Sequence, residues 1–140
     1  MLGPTVYILF PGTARQALDF YQEIFGGELA LYTLEEFNRT DGDPQAIAHG
    51  ELTGQVCLGG ADASAMDRPL RAEGMMLSLL GTAQPEVLHQ WFDKLSAGGE
   101  VIDPLTEKPW GAVDGQVRDR HGVHWLIGYE PENRESQAPS

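Results

Sequence analysis

The repeat that decides the fold begins with ALDFYQEIFGGE at residues 17–28 and returns as LHQWFDKLSAGGE at residues 88–100. In both copies two adjacent aromatic residues are followed by an apolar residue and then by Gly-Gly-Glu. Apolar side chains recur at spacings of three and four residues, which predicts one amphipathic helix in each copy. The paired glycines are expected to end both helices, because glycine readily adopts the left-handed conformation at a helix C-terminus. The chain is therefore predicted to contain two copies of one structural unit.

The start of each helix is also marked in the sequence. Thr13 and Gln16 have the spacing of a capping box, in which side chains satisfy free backbone N–H groups at a helix start. Pro85 suits the first turn of the second helix, where its missing N–H group costs nothing. Both signals place a helix directly after an apolar run.

Strand patterns flank both helices in the same order. An apolar run precedes each helix, at residues 6–10 and 75–80, and three further strand candidates follow it. These candidates are residues 29–34, 46–53 and 55–59 in the first half and residues 100–103, 112–119 and 123–129 in the second. Each half therefore predicts a strand–helix–strand–strand–strand (βαβββ) module, with a polar linker over residues 61–73.

These patterns predict the α+β fold class. One helix cannot cover both faces of a four-stranded sheet, so the modules are expected to pack as a curved mixed sheet enclosing a cleft. We expect one domain over residues 1–130, made of modules at about residues 1–62 and 73–130. The polar segment 131–140 is expected to be a flexible tail.

Composition limits the classes of partner. The net charge of −12 and the pI near 4.5 disfavour nucleic acid and anionic membrane surfaces, and they would attract a cationic ligand. No apolar run approaches the roughly 20 residues of a membrane span, and we see no signal peptide. Cys57 is the single cysteine, and the simplest interpretation is a buried, reduced thiol in a cytoplasmic protein.

Four further motifs are AHGEL at residues 48–52, GGEV at 98–101, PWG at 109–111 and DRHGVHW at 119–125. Together with the repeat, they make residues 3–129 resemble the vicinal-oxygen-chelate superfamily, which includes glyoxalases, bleomycin-resistance proteins and ring-cleaving dioxygenases. The PhnB-like branch is the most similar. The resemblance implies the glyoxalase/bleomycin-resistance fold and a homodimer. Some members of that branch are described as methyltransferases, but the glycine-rich loop that would hold a methyl-donor cofactor is missing from this sequence.

The resemblance also implies a metal ligand on the first and the last strand of each module. The corresponding positions are at or next to Val6, at Met75 or Met76, at Leu58 and at Leu126. None of these side chains suits a hard or borderline divalent ion. A register shift of one residue would bring in Tyr7, Cys57 or Trp125, which form no metal-binding set either. We therefore predict no metal and no other cofactor.

Two residues are candidates for catalysis. His49 and Glu51 are two positions apart on a predicted strand, so their side chains share a face and could act as a general base and its orienting partner. The alternative is a structural hydrogen-bonded pair. His89 and His121 are expected to be solvated, and His124 is expected on the strand face opposite Trp125.

Aromatic residues suggest a binding surface. Tyr7, Phe10, Trp110 and Trp125 lie on or beside strands that would line the cleft, although aromatic residues at this spacing more often belong to the core, and Trp110 in its loop is the best candidate. The favoured function is therefore binding of a small organic molecule in an aromatic, acidic cleft. The alternative is a metal-independent isomerase-type or lyase-type enzyme that uses His49 and Glu51, whereas a conventional metalloenzyme is disfavoured by the apolar ligand positions.

Overall fold

The computed structural model describes residues 4–71 and 73–131. The chain divides into two compact units, Met1–Arg71 and Ala72–Ser140. Each unit contains one helix and a four-stranded mixed sheet in the predicted order, which confirms the α+β class and the repeated βαβββ module. The predicted tail lies outside the described residues from position 132 onward. Within the described residues, no helix is both long and apolar enough to cross a membrane.

The first unit consists of β1 (Tyr7–Phe10), α1 (Ala14–Phe25), β2 (Glu28–Thr33), β3 (Ile47–Thr53) and β4 (Leu58–Asp62). Its strands lie in the order β1-β4-β3-β2, with β1 parallel to β4 and the other pairs antiparallel. A Cβ atom added at Gly50 would lie 2.5 Å from the Leu18 side chain, so position 50 faces α1. Because side chains alternate along a strand, His49 and Glu51 lie on the opposite face, which we call the open face.

A carboxylate from β4 caps α1, and the predicted capping box is wrong. Thr13 is the N-cap residue, but its side chain makes no capping hydrogen bond. The backbone N–H of Ala14 donates instead to Asp62 Oδ1 at 2.9 Å, and the N–H of Ile47 donates to Asp62 Oδ2 at 2.8 Å. A residue 48 positions away thus replaces the local cap, which no local pattern could reveal.

The second unit consists of β5 (Leu77–Leu80), α2 (Pro85–Ser96), β6 (Glu100–Glu107), β7 (Val113–Arg118) and β8 (His124–Tyr129). Its strands lie in the order β5-β8-β7-β6, and β5 is parallel to β8. Pro85 begins α2 as predicted, and Gly98 has a φ of 75° after it. The strand β6 is longer than predicted because it continues past Asp103 through two register irregularities against β7.

Two aromatic residues predicted to line a cleft belong instead to the hydrophobic core. Phe10 is 0% exposed and Trp125 is 1% exposed. Phe10 alternates with the exposed Tyr7 along β1, and Trp125 alternates with the half-buried Leu126 along β8. Their side chains leave no surface for a ligand, so this prediction is corrected to a structural role.

The register predicted for β4 is also wrong by one residue. Leu58 is buried and pairs with the buried Leu52, so it faces α1 and the open-face position belongs to Gly59. In β8 the register is as predicted: Leu126 lies on the strand face opposite the buried Trp125. Gly54 directly follows β3, whereas Gly122 lies four positions after the end of β7, so aligning the two hairpins by these glycines shifted the faces.

Candidate functional site

Four rings form a row on the open face of the first unit, which we call the ring row. Tyr7 stacks with His49 at a centroid distance of 5.6 Å, and His49 stacks with Tyr32 at 6.3 Å. Tyr32 in turn stacks with Phe37 at 5.5 Å, and each pair of planes meets at an angle of 17° or 18°. Tyr7, Tyr32 and Phe37 are 48%, 40% and 47% exposed, so these three side chains are accessible to a ligand.

A glycine lets the ring row cross a strand. The strand β4 separates β1 from β3, and Gly59 of β4 pairs with Tyr7 in the sheet register. A Cβ atom at Gly59 would lie 2.8 Å from Cδ2 of Tyr7, so the missing side chain is what allows the phenol to lean toward His49. On the other side, Tyr32 of β2 pairs directly with His49.

A short turn after β2 brings Phe37 to the end of the ring row. The Thr33 backbone N–H and hydroxyl both donate to Glu36 Oε1 at 3.0 Å, and the Glu36 N–H donates to Thr33 Oγ1 at 3.1 Å. This reciprocal pattern is that of a capping box. Tyr32 and Phe37 are not among the residues predicted from the sequence, although the spacing of Thr33 and Glu36 is a signal for this turn.

Polar contacts connect the ring row to a carboxylate. Tyr7 Oη and His49 Nδ1 share a hydrogen bond at 2.9 Å, and His49 Nε2 lies 3.5 Å from Glu51 Oε1. Burial, and secondarily the charge of Glu51, raise the pKa of Tyr7, which keeps its phenol neutral. The structure thus brings His49 and Glu51 together as expected from the sequence, and it adds Tyr7 to the pair.

Tyr7 lies between two cavities of the first unit. The smaller, of about 240 Å³, is also lined by His49, Glu51, Cys57 and Gly59. The larger, of about 640 Å³, extends from Tyr7 toward the start of α1. Its size falls in the range of roughly 300–1,000 Å³ that is typical of small-molecule sites.

The larger cavity carries more negative than positive groups. Its lining includes four aspartates and two arginines, namely Asp41, Asp43, Asp62, Asp67, Arg15 and Arg39. Arg39 pairs with Asp41 through two hydrogen bonds of 3.0 and 2.6 Å, and this pairing lowers the pKa of Asp41. Asp62 is engaged in capping α1. The remaining carboxylates favour a positively charged ligand over an anion.

The metal that the resemblance implies does not fit the side chains present. In the first unit, the open-face positions of the first and last strands hold Tyr7 and Gly59. In the second unit the corresponding positions include Ser78 and Leu126. Within residues 4–71 and 73–131, no group of three or more His, Cys, Asp or Glu side chains is arranged to hold a metal ion.

The other histidines are less exposed than the sequence suggested. His89 is half-buried, and its Nε2 shares a 2.9 Å hydrogen bond with the Tyr129 hydroxyl, so the prediction of a solvated side chain is wrong. Burial lowers the pKa of His121. His124 lies on the strand face opposite Trp125, as predicted, and its Nε2 shares a 3.0 Å hydrogen bond with Gln116 Oε1.

Two further residues singled out in the sequence differ in exposure. Trp110 is 62% exposed in the loop between β6 and β7, in the second unit. Cys57 is half-buried rather than fully buried, and its thiol donates to the Gly54 carbonyl at 3.4 Å. Neither residue belongs to the ring row, although Cys57 lines the smaller cavity beside it.

Comparison with known proteins identifies one family and several similar proteins. The profile of the Glyoxalase/Bleomycin resistance protein/Dioxygenase superfamily matches residues 3–127. The chain is 29% identical to the protein YjdN of Escherichia coli over 138 residues, covering 86% of this chain and 90% of that protein. The structure of PA1353 from Pseudomonas aeruginosa is similar at 27% identity and a TM-score of 0.77, covering 93% and 98% of the two chains.

A second solved structure shares the fold. It is a Bacillus cereus PhnB protein described as a putative 3-demethylubiquinone-9 3-methyltransferase, at 21% identity and a TM-score of 0.76. The alignment covers 91% of this chain and 99% of the Bacillus cereus chain. At that identity the likeness extends to the fold alone.

Proposed function

The chain belongs to the Glyoxalase/Bleomycin resistance protein/Dioxygenase superfamily, and we propose that it binds a small organic molecule on the ring row. The ligand lies on the open face of the first unit, beside Tyr7 and Glu51, and it is held without a catalytic metal. The single observation that carries this proposal is the row of four stacked rings, three of them exposed.

Exposed, ordered aromatic rings are unusual on a protein surface that has no partner. Contiguous apolar surface of this kind marks ligand or protein binding sites, because covering it releases free energy. Rings that are already stacked lose little side-chain freedom when a planar ligand joins them. The two cavities next to Tyr7 provide room for such a ligand.

The proposal also covers partners and location. We propose a cytoplasmic homodimer, as the family resemblance implies, with a dimer contact that leaves the ring row accessible to the ligand. The net charge of −12 supports neither nucleic acid nor an anionic membrane as a partner.

The neutral probe naphthalen-2-ylmethanol tests this function by isothermal titration calorimetry. Tyr32→Ala is expected to weaken binding by about five- to tenfold, because it removes one stacking partner worth roughly 1 kcal/mol. Tyr32→Phe keeps the ring and is expected to stay within about twofold of the wild type. Adding a chelator should leave the affinities of the wild type and of Tyr32→Phe unchanged. Equal binding by wild type and Tyr32→Ala, or loss of binding with the chelator, would contradict the proposal.

A second candidate function is metal-independent proton transfer. The contact chain from Tyr7 through His49 to Glu51 favours it, since an imidazole held by a carboxylate and a phenol is an arrangement used for acid–base chemistry. The α-proton exchange of hydroxyacetone in D₂O, followed by NMR, tests this candidate. His49→Ala would slow protein-catalysed exchange by about 10²–10⁴-fold with little change in stability. Identical rates for the two proteins would reject catalysis by His49.

A further inference from the structure

We propose that the preferred ligand is a protonated aromatic amine, whose ring stacks on the ring row while its N–H groups donate to Tyr7 Oη and the Glu51 carboxylate. This inference rests on the proposed function and specifies the chemical class of the ligand. The site beside Tyr7 and Glu51 prefers a primary or secondary ammonium group over a quaternary ammonium, a neutral alcohol or a carboxylate.

The hydrogen bonds within the site determine which groups remain free for a ligand. When Nε2 of His49 carries the proton, it points toward Glu51, and Nδ1 accepts the hydrogen bond from the Tyr7 hydroxyl. The Tyr7 hydroxyl then donates its proton to His49, while the lone pairs on Oη can accept hydrogen bonds from a ligand. Glu51 likewise offers only acceptors, and its side chain is 62% exposed. The site therefore presents oxygen acceptors, which are satisfied by a ligand that donates.

The charges around Tyr7 favour the same class. Glu51 lies beside the smaller cavity, and the aspartates of the larger cavity outnumber its arginines by four to two. The faces of Tyr7 and Tyr32 also attract cations, because the π-electrons give each face a partial negative charge. The net charge of −12 adds a long-range attraction for positive ligands.

Four probes that each carry a naphthalene group separate the contributions of charge and hydrogen bonding in calorimetric titrations. They are naphthalen-2-ylmethylammonium, its N,N,N-trimethyl analogue, naphthalen-2-ylmethanol and naphthalene-2-carboxylate. We expect the primary ammonium to bind about tenfold more tightly than the alcohol, because it adds charge-assisted hydrogen bonds. The trimethyl analogue should lie between them, since it keeps the charge but cannot donate, and the carboxylate should bind most weakly.

Three variants assign the preference to individual groups. Tyr7→Phe keeps the ring but removes the hydroxyl acceptor. It should therefore weaken binding of the primary ammonium about fivefold and leave the affinity for the trimethyl analogue within about twofold of the wild type. Glu51→Gln should weaken binding of both cationic probes about fivefold and leave the affinity for the alcohol unchanged. Glu23→Gln is the matched control, because it makes the same charge change at an exposed position of α1, on the other side of the sheet.

The outcomes distinguish this inference from the proposed function. If the alcohol binds as tightly as the primary ammonium and still depends on Tyr32, the function stands and the amine preference is overturned. If Glu23→Gln weakens the cations as much as Glu51→Gln does, the effect is long-range charge and the assignment to Glu51 is overturned. If none of the four probes binds, both the function and the inference fail.

Discussion

Replacing Asp119 with alanine is expected to lower the free energy of unfolding by about 3–5 kcal/mol, because it leaves three backbone and side-chain donors without an acceptor. Asp119 is 3% exposed. Its Oδ1 accepts hydrogen bonds from the N–H groups of His121 at 2.7 Å and Val123 at 3.2 Å, and its Oδ2 accepts one from Trp125 Nε1 at 2.8 Å. Asp119 thus fixes both the turn before β8 and the indole of Trp125, which is 1% exposed.

Urea unfolding followed by tryptophan fluorescence measures this loss. All three tryptophans, Trp91, Trp110 and Trp125, lie in the second unit, so the signal reports on the unit that contains Asp119. Asp93→Ala makes the same substitution at an exposed position of α2 and is expected to change the unfolding free energy by no more than about 0.5 kcal/mol. A similar small change for Asp119→Ala would show that its hydrogen bonds do not stabilise this unit.

Replacing Gly59 with valine is expected to weaken binding of naphthalen-2-ylmethylammonium by at least about tenfold, through loss of stacking and of the Tyr7 hydrogen-bond acceptor. The new Cβ atom would lie 2.8 Å from Cδ2 of Tyr7, so the phenol must move away from His49. Because the Tyr7 side chain is exposed, it can move without unpacking the core. The smaller Gly59→Ala substitution should have an intermediate effect.

Calorimetry measures the affinity of these variants, and thermal unfolding followed by circular dichroism checks that the first unit remains folded. A β-branched residue suits a strand, so the melting temperature is expected to change little. If Gly59→Val is folded and binds the amine as the wild type does, the displacement of Tyr7 does not matter and the ring row is not the binding surface.

Local patterns explain why most of the fold was predictable. The repeated Gly-Gly-Glu motif, the helical spacing of apolar residues and the apolar runs are signals within a few residues of each other. They were sufficient to place both helices and all eight strands in their order along the chain. The shared face of His49 and Glu51 likewise followed from strand alternation alone.

The predictions that failed depended on contacts between distant residues. The glycines of the two turns lie at different positions, so the alignment missed that Leu58 faces the core and Gly59 the open face. The cap of α1 comes from Asp62, on a strand far along the chain. Phe10 and Trp125 were placed on the wrong face because an apolar strand carries no internal signal of which side a helix will cover.

The candidate site was only partly predictable for the same reason. Tyr7, His49 and Glu51 were identified from the sequence, but the contact between Tyr7 and His49 requires Gly59 of β4 to lie between β1 and β3. The order of strands in the sheet determines this placement, and a single sequence does not state that order.

The most direct test of the central claim is an aromatic ¹H–¹³C NMR titration of the wild-type protein with naphthalen-2-ylmethylammonium. The ring row predicts that the resonances of Tyr7, Tyr32, Phe37 and His49 shift together and saturate with one dissociation constant. Saturable shifts at other residues, with these four rings unchanged, would show that the ligand binds elsewhere and would contradict the account.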